Sequence, residues 1–259
     1  MSEITDFSMD YYSLKGKNAL ITGCNSGLGQ AFALAFAKAG ANIFCPSIVA
    51  DDGTTQRLIE AEGVRFEFML VDITQDGACK KVIDTCVEKL GSIDILVNCA
   101  GICICKPFKE FTRKDFDKMV TLNLNCAFDL THEAANYMMD QGSGKVINVC
   151  SLFSFLGGLD SPAYASMKAG LMGLTKACAD ELGKYNIQVN GIAPGYFKTA
   201  VTAYTTSDPE KERRIREHVP ADRWGERLDL MGPMVFLASK AADYVNGTLL
   251  VVDGGYLVR

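Results

Sequence analysis

Asn18-Ala19-Leu20-Ile21-Thr22 runs into Gly23-Cys24-Asn25-Ser26-Gly27-Leu28-Gly29, and that turn into Gln30 to Lys38 with Gly40 beyond. The first run is apolar and of strand length, and the last carries apolar residues at helical spacing, so the stretch reads as strand, glycine turn and helix. Glycines let the backbone bend tightly and let a bulky anion approach without meeting a Cβ. A helix that starts there presents free N–H groups and the positive end of its dipole. Gly23, Asn25, Ser26, Gly27, Leu28 and Gly29 are therefore candidate phosphate-cradling residues. Their spacing is G-x-x-x-G-x-G, which differs from the commonest dinucleotide fingerprint, G-x-G-x-x-G.

Outward from this unit, strand-like and helix-like segments alternate to the end of the chain. Strands are expected at Asn42–Cys45, Arg65–Asp72, Ile93–Val97, Lys145–Cys150, Ile187–Ile192 and Thr248–Val252. Helices are expected at Gly77–Leu90, Arg113–Met139, from Tyr164 to about Tyr185, and at Arg227–Ser239. About seven strands separated by helices make an α/β fold, a Rossmann-type doubly wound parallel sheet with helices on both faces. Residues 15–259 are expected to form one domain after an extension, residues 1–14, and the polar stretch 196–224 is expected to be a lid. Ligands of such sheets sit beyond the carboxyl ends of the strands. Ser47, Asp72, Ile73, Asn98, Ala100, Gly101, Pro194, Gly195 and Thr199 all stand at those ends and join the cofactor-binding candidates. Between Pro46 and Asp52 there is no basic residue to pair with the 2′-phosphate of NADP, so NAD is the expected cofactor. Asp51 or Asp52 is within sequence reach of a ribose, although capping the next helix is the other role open to them.

A second stretch carries the chemistry: Ser151 to Lys168, SLFSFLGGLDSPAYASMK. Tyr164 and Lys168 share one helix face, and Ser151 closes the apolar strand before it. A free phenol, with a pKa near ~10, is a poor base at neutral pH, and a neighbouring ammonium favours its ionised form. Such a trio moves a proton beside a reacting C–O bond, with the serine holding the oxygen.

Net charge is −5, from 26 basic and 31 acidic residues, with no basic cluster suited to a phosphate backbone, so nucleic acid is not an expected partner. No run approaches the ~18 apolar residues of a membrane span, and residues 1–13 do not resemble a signal peptide. A cytoplasmic protein is expected. Ten cysteines scattered through apolar segments read as reduced and buried. His132 and His218 are far apart in sequence and no C-x-x-C pair occurs, so no metal site is expected.

Thr22-Gly23-x-x-x-Gly27-x-Gly29, Asp72, Asn98-x-Ala100-Gly101, Asn123, Ser151, Tyr164-x-x-x-Lys168 and Pro194-Gly195-x-x-x-Thr199 occur together in the order and spacing of the short-chain dehydrogenase/reductase superfamily. The chain resembles that superfamily from Lys15 onward. The resemblance implies that Tyr164 is the acid/base, that Lys168 assists it and binds the nicotinamide ribose, that Ser151 orients substrate and that Asn123 supports a relay water. It also implies a homo-oligomer, with a tetramer favoured. Cys99 replaces the commoner second Asn of the Asn-Ala-Gly turn, a change expected to be tolerated. Within the superfamily the chain resembles 2-dehydro-3-deoxy-D-gluconate 5-dehydrogenases and gluconate 5-dehydrogenases, through GCNSGLGQ, IAPGY and the C-terminal RWGERLDLMGPMVFLAS…DYVNG…VDGGYLVR.

A sugar-acid carboxylate calls for a cation. Where those enzymes carry an Arg pair after the Asn-Ala-Gly turn, this chain has Ile104 and Cys105; where they carry Gln and Arg after the serine, it has Leu156 and Asp160. With Leu152, Phe153 and Phe155 these residues suggest an apolar pocket wall, and the substrate expected is a bulky apolar alcohol or ketone such as a hydroxysteroid. The alternative is a sugar acid, with Lys106, Lys198, Arg223 or Arg259 as the cation. A further alternative is a non-catalytic nicotinamide sensor.

Overall fold

The computed structural model describes residues 4–199, 202 and 207–259. Its parallel strands are β1 (Asn18–Ile21), β2 (Asn42–Ser47), β3 (Phe66–Leu70), β4 (Ile95–Asn98), β5 (Gly144–Val149), β6 (Ile187–Pro194) and β7 (Leu249–Val252). They form one seven-stranded sheet in the order β3-β2-β1-β4-β5-β6-β7, the doubly wound arrangement expected. Strand order reverses between β1 and β4, and that switch point opens a crevice at the carboxyl ends.

Alternate residues of the buried strands feed two separate cores. Ile21, Ile43, Ile95 and Ile147 point into one, packed with Phe32 and Phe36 of α1 (Gly27–Lys38). Leu20, Phe44, Leu96 and Val146 point into the other, with Ile83 of α3 (Ala78–Leu90) and Met138 of α5 (Cys126–Gln141). Leu20 stands opposite Phe44 on β2 and Leu96 on β4, so a single register aligns the whole second layer. This near-continuous apolarity is what a parallel sheet covered on both faces requires. The remaining α-helices among the described residues are α2 (Thr54–Glu60), α4 (Arg113–Val120), α6 (Pro162–Leu182), α7 (Pro209–His218) and α8 (Arg227–Ala238).

Two expectations need correction. The helix expected over Arg113–Met139 is interrupted by a π-helical turn at Thr121–Asn125, where the side chain of Asn123 is drawn to the backbone of Ile102. The cysteines are all free thiols, but Cys105 is exposed and Cys99, Cys103 and Cys178 are only partly buried. Of the expected lid, residues 200, 201 and 203–206 lie outside the described residues, as do 1–3 of the N-terminal extension. The two ends of the lid region are tied in place: Gly225 N–H donates to Tyr196 O and Ala221 N–H to Gly254 O. Among the described residues no helix is long and apolar enough to cross a membrane.

Candidate active site

The glycine turn is shaped by its backbone. Gly23 and Gly27 adopt φ of +69° and +57°, which side chains disfavour. Gly29 has an ordinary φ but no room, since a Cβ there would lie 2.8 Å from the Gly23 carbonyl oxygen. The turn is anchored to the loop after β2 and to the start of α2: Asn25 Nδ2 donates to Val49 O at 2.7 Å, and Thr55 Oγ1 donates to Asn25 O. Ser26 is the N-cap residue of α1 without a side-chain cap bond of its own.

Beside it, Thr22 Oγ1 accepts from the N–H groups of Cys99 and Ala100 at 3.0 and 2.8 Å, locking the turn after β4 against β1. Asn98 Nδ2 donates to Asn148 Oδ1 at 2.8 Å and Asn148 Nδ2 to Thr175, a buried polar ladder linking β4, β5 and α6. Burial pushes the Cys99 thiol up to about 12, so at neutral pH it is an uncharged small side chain. Asn123 is buried, and its amide clasps Ile102 at both ends: Oδ1 accepts from the N–H at 2.9 Å and Nδ2 donates to the carbonyl at 2.8 Å. Gly101 leaves space for this clasp, because a Cβ there would stand 3.1 Å from Asn123 Oδ1.

Ser151, Tyr164 and Lys168 converge at the end of β5. Ser151 Oγ accepts from Phe153 N–H at 3.2 Å, which leaves its own proton to donate. Pro162 at the start of α6 presets the helix that carries the other two. Lys168 is 7 % exposed, its Nζ donates to Val149 O at 2.5 Å, and it stands 5.4 Å from the Tyr164 ring centroid. The Phe153 ring meets Tyr164 edge-on at 5.8 Å and fixes its tilt. Thr22, Ile73, Asn98, Ala100, Asn123 and Lys168 line one small cavity between these parts.

Asp72 lies two residues past β3, and its carboxylate is occupied by Thr74 and Gln75. Those bonds hold it below the usual carboxylate range. Ser47 Oγ accepts from Val49 N–H. Gly195 packs its α-carbon against Asp253, and Thr199 N–H donates to Thr202 Oγ1. Asp51 caps the start of α2 through Oδ2, which accepts from Gly53 and Gln56, while its Oδ1 is buried and, among the described residues, without a partner.

Residues 23–257 match the family model described as Enoyl-(Acyl carrier protein) reductase. The chain is a short-chain dehydrogenase/reductase. It is 59 % identical over 259 residues to the uncharacterized oxidoreductase YgcW of Escherichia coli K12, covering 100 % of this chain and 99 % of that one. It is 43 % identical to the 2-dehydro-3-deoxy-D-gluconate 5-dehydrogenase of the same organism, over 96 % and 98 % of the two chains. Among solved structures, a gluconate 5-dehydrogenase from Burkholderia cenocepacia J2315 in complex with NADP and tartrate superposes with a TM-score of 0.92 at 35 % identity, over 96 % and 98 %. A 7α-hydroxysteroid dehydrogenase complexed with NADH and 7-oxoglycochenodeoxycholic acid gives 0.92 at 35 %, over 96 % and 97 %.

Of these relatives two are named for sugar acids, the alternative reading, and one for a hydroxysteroid. The supposed apolar wall is not continuous. Leu152 is buried, Ile104 packs on a cluster formed by Met119, Ala163 and Met167, and Phe155 and Leu156 face solvent at 46 % and 41 % exposure. The cations named from sequence are also engaged: Lys106 with Asp115, Lys198 with Glu226, Arg223 in two bonds with Asp229, and Arg259 with the Glu217 carbonyl. Arg214, exposed on α7, was missed. Burial, with Tyr256 beside it, pushes the Tyr196 phenol at the start of the same region up to about 12. Nothing local marks Arg214 in the sequence, since it sits in a run of charges, Glu210 to Glu217.

Proposed function

We propose that this enzyme interconverts a secondary alcohol and a ketone on a sugar acid, with NAD(H) as hydride carrier and as a homo-oligomer. The observation that carries the reaction is the convergence of Ser151, Tyr164 and Lys168 at the end of β5 beside the glycine turn. Ser151 donates its free proton to the substrate oxygen and positions it. Tyr164 delivers a proton to that oxygen in reduction and removes it in oxidation. Lys168 sets a buried positive charge beside the ring, where it stabilises negative charge developing on the phenol oxygen. Asn123 holds the turn at Ile102 beside the cavity and from there would support a relay water. The nicotinamide, when bound, supplies or accepts the hydride.

The residues fit a dinucleotide. Gly23, Asn25, Ser26, Gly27, Leu28 and Gly29 would hold the pyrophosphate, Asp72 and Ile73 the adenine side, and Asn98, Ala100, Gly101, Pro194, Gly195 and Thr199 the nicotinamide end. The orphaned Oδ1 of Asp51 supports NAD: it offers a ribose hydroxyl an acceptor and would repel a 2′-phosphate. Arg57, the first cation after β2, already donates to Thr54. The NADP in the Burkholderia relative makes this preference the point to test. For the substrate carboxylate we assign Arg214, an exposed cation on α7 in the expected lid region that, unlike its neighbours Arg213 and Arg216, has no carboxylate partner among the described residues.

The test is oxidation of NADH and of NADPH by purified protein with keto-sugar acids and, separately, steroid ketones. Turnover of sugar acids with NADH is expected, and Arg214→Gln should raise KM for them roughly tenfold or more, the worth of one charged hydrogen bond, with kcat little changed. Turnover of steroids alone would overturn the substrate reading, and preference for NADPH the cofactor reading.

A further inference from the structure

Cys103 and Cys105 lie on the irregular segment between the turn after β4 and α4, and their sulfurs are 3.5 Å apart. Cys105 Sγ is also 3.3 Å from the hydroxyl of Ser161, the N-cap residue of the helix that carries Tyr164 and Lys168. Of all the chain's cysteines only Cys105 is exposed, and Cys103 is partly open. The reaction proposed above uses neither thiol.

We propose that Cys103 and Cys105 form a redox modification site that reacts with low-molecular-weight disulfides and, by closing into an internal disulfide, slows the enzyme. Cys105 is the attacking sulfur. Its contacts with the Cys103 sulfur and the Ser161 hydroxyl hold it down at about 6, while Cys103 is pushed up. A thiol with that value is ionised at neutral pH yet still nucleophilic. In the first step the Cys105 thiolate attacks one sulfur of R–S–S–R; the S–S bond breaks, and RS⁻ leaves and takes up a proton. In the second, Cys103 loses its proton and attacks the Cys105 sulfur, expelling the second RS⁻, which is protonated in turn. Two protein thiols are oxidised to one disulfide, and R–S–S–R is reduced to two RSH. The sulfurs must close from 3.5 Å to about 2.05 Å, so the short irregular segment that carries them must draw in.

The position gives the bond its effect. Ile102, whose N–H and C=O grip Asn123, directly precedes Cys103. Lys106, directly after Cys105, donates its N–H to Asp160 at 2.8 Å beside the start of α6. Shortening the segment pulls on both sides of the site at once. A ring so small is strained, which makes it easily reduced and the change reversible.

The test treats the intact enzyme with oxidised glutathione, then with dithiothreitol. Intact mass should fall by two hydrogens, peptide mapping should place the bond at Cys103–Cys105, and turnover should drop roughly tenfold to 100-fold, the range set by an ångström-scale shift of a site group. Dithiothreitol should restore it. Each variant is compared with itself before and after treatment: Cys103→Ser should stop at a glutathione adduct on Cys105, and Cys105→Ser should form neither adduct nor internal bond. The mass readout is independent of the substrate assigned. Failure to form the bond, its formation elsewhere, or a Cys103–Cys105 bond that leaves turnover unchanged would each overturn the proposal.

Discussion

At the scale of single residues, Ser151, Tyr164 and Lys168 come together because two of them share one helix face and the third follows a strand. The bonds around the site are set by the tertiary fold, out of reach of local pattern. That Asn123 spends its amide on Ile102 depends on a contact across 21 residues of chain, and that Asp51 caps with one oxygen and leaves the other orphaned depends on how the loop after β2 folds. In the proposed reaction Tyr164 touches the reacting oxygen, whereas the cofactor rests on the glycine turn and on Lys168. Tyr164→Phe removes one oxygen atom and keeps the ring against Phe153. Turnover should fall by roughly 10²–10⁴-fold, the share of a general acid/base, with NADH affinity measured by fluorescence titration unchanged. Full turnover in the variant would remove Tyr164 from the reaction.

At the scale of elements, the strand, turn and helix of residues 18–40 are encoded locally and were legible as such, glycine by glycine. Gly29 is the tightest point of that unit, with Cys24 Cα at 2.9 Å and the Gly23 oxygen at 2.8 Å from where a Cβ would stand. Neither neighbour is a flexible side-chain end, so the turn itself must shift. Gly29→Ala should cost about 1–3 kcal/mol, as overpacking does, and should weaken dinucleotide binding along with the melting temperature. Normal binding with normal stability would show that the turn is looser than it looks. The break in the helix at 121–125 was not legible, because both flanks keep a helical pattern and only the distant Ile102 backbone calls for the π-turn. The start of α8 offers a pH-dependent case. Arg223 binds Asp229 in two places, and that pairing, with the Glu226 N–H, holds the Asp229 carboxyl down at about 2. An unfolded aspartate titrates near ~3.9, so the folded state favours the ionised form. Its stabilising contribution is present above that value and is lost as pH falls toward about 2. Asp229→Asn should therefore melt below the wild type at neutral pH, and the gap should narrow on acidification; a gap constant with pH would show that the cap, rather than the charge, is what matters.

At the scale of the molecule, alternating strands and helices announced a doubly wound sheet, and the right-handed crossovers such units favour limit the possible orders. What lies at the sheet's edges was not legible, since an edge strand and an inner one share the same apolar composition. β7 is the edge beyond β6, and its sequence Leu249-Leu250-Val251-Val252 has no lysine, proline or other charge to blunt it. Val251 is 37 % exposed, with Tyr244 and Val258 bare at 103 % and 80 %. An uncharged apolar edge with its peptide groups unpaired invites association, and a closed contact with a second copy of the chain removes that hazard. Light scattering should accordingly give a mass several times the 28.1 kDa of one chain, with a tetramer favoured. Val251→Lys would place a charge in the middle of the edge while leaving the β6 register untouched, since the side chain stands off the hydrogen-bonding plane. The variant should fold, judged by its far-ultraviolet spectrum, and run as a smaller species. A wild type that stays at one chain's mass over the micromolar range would sink the oligomer reading, whereas an oligomer undisturbed by Val251→Lys would move the contact away from β7.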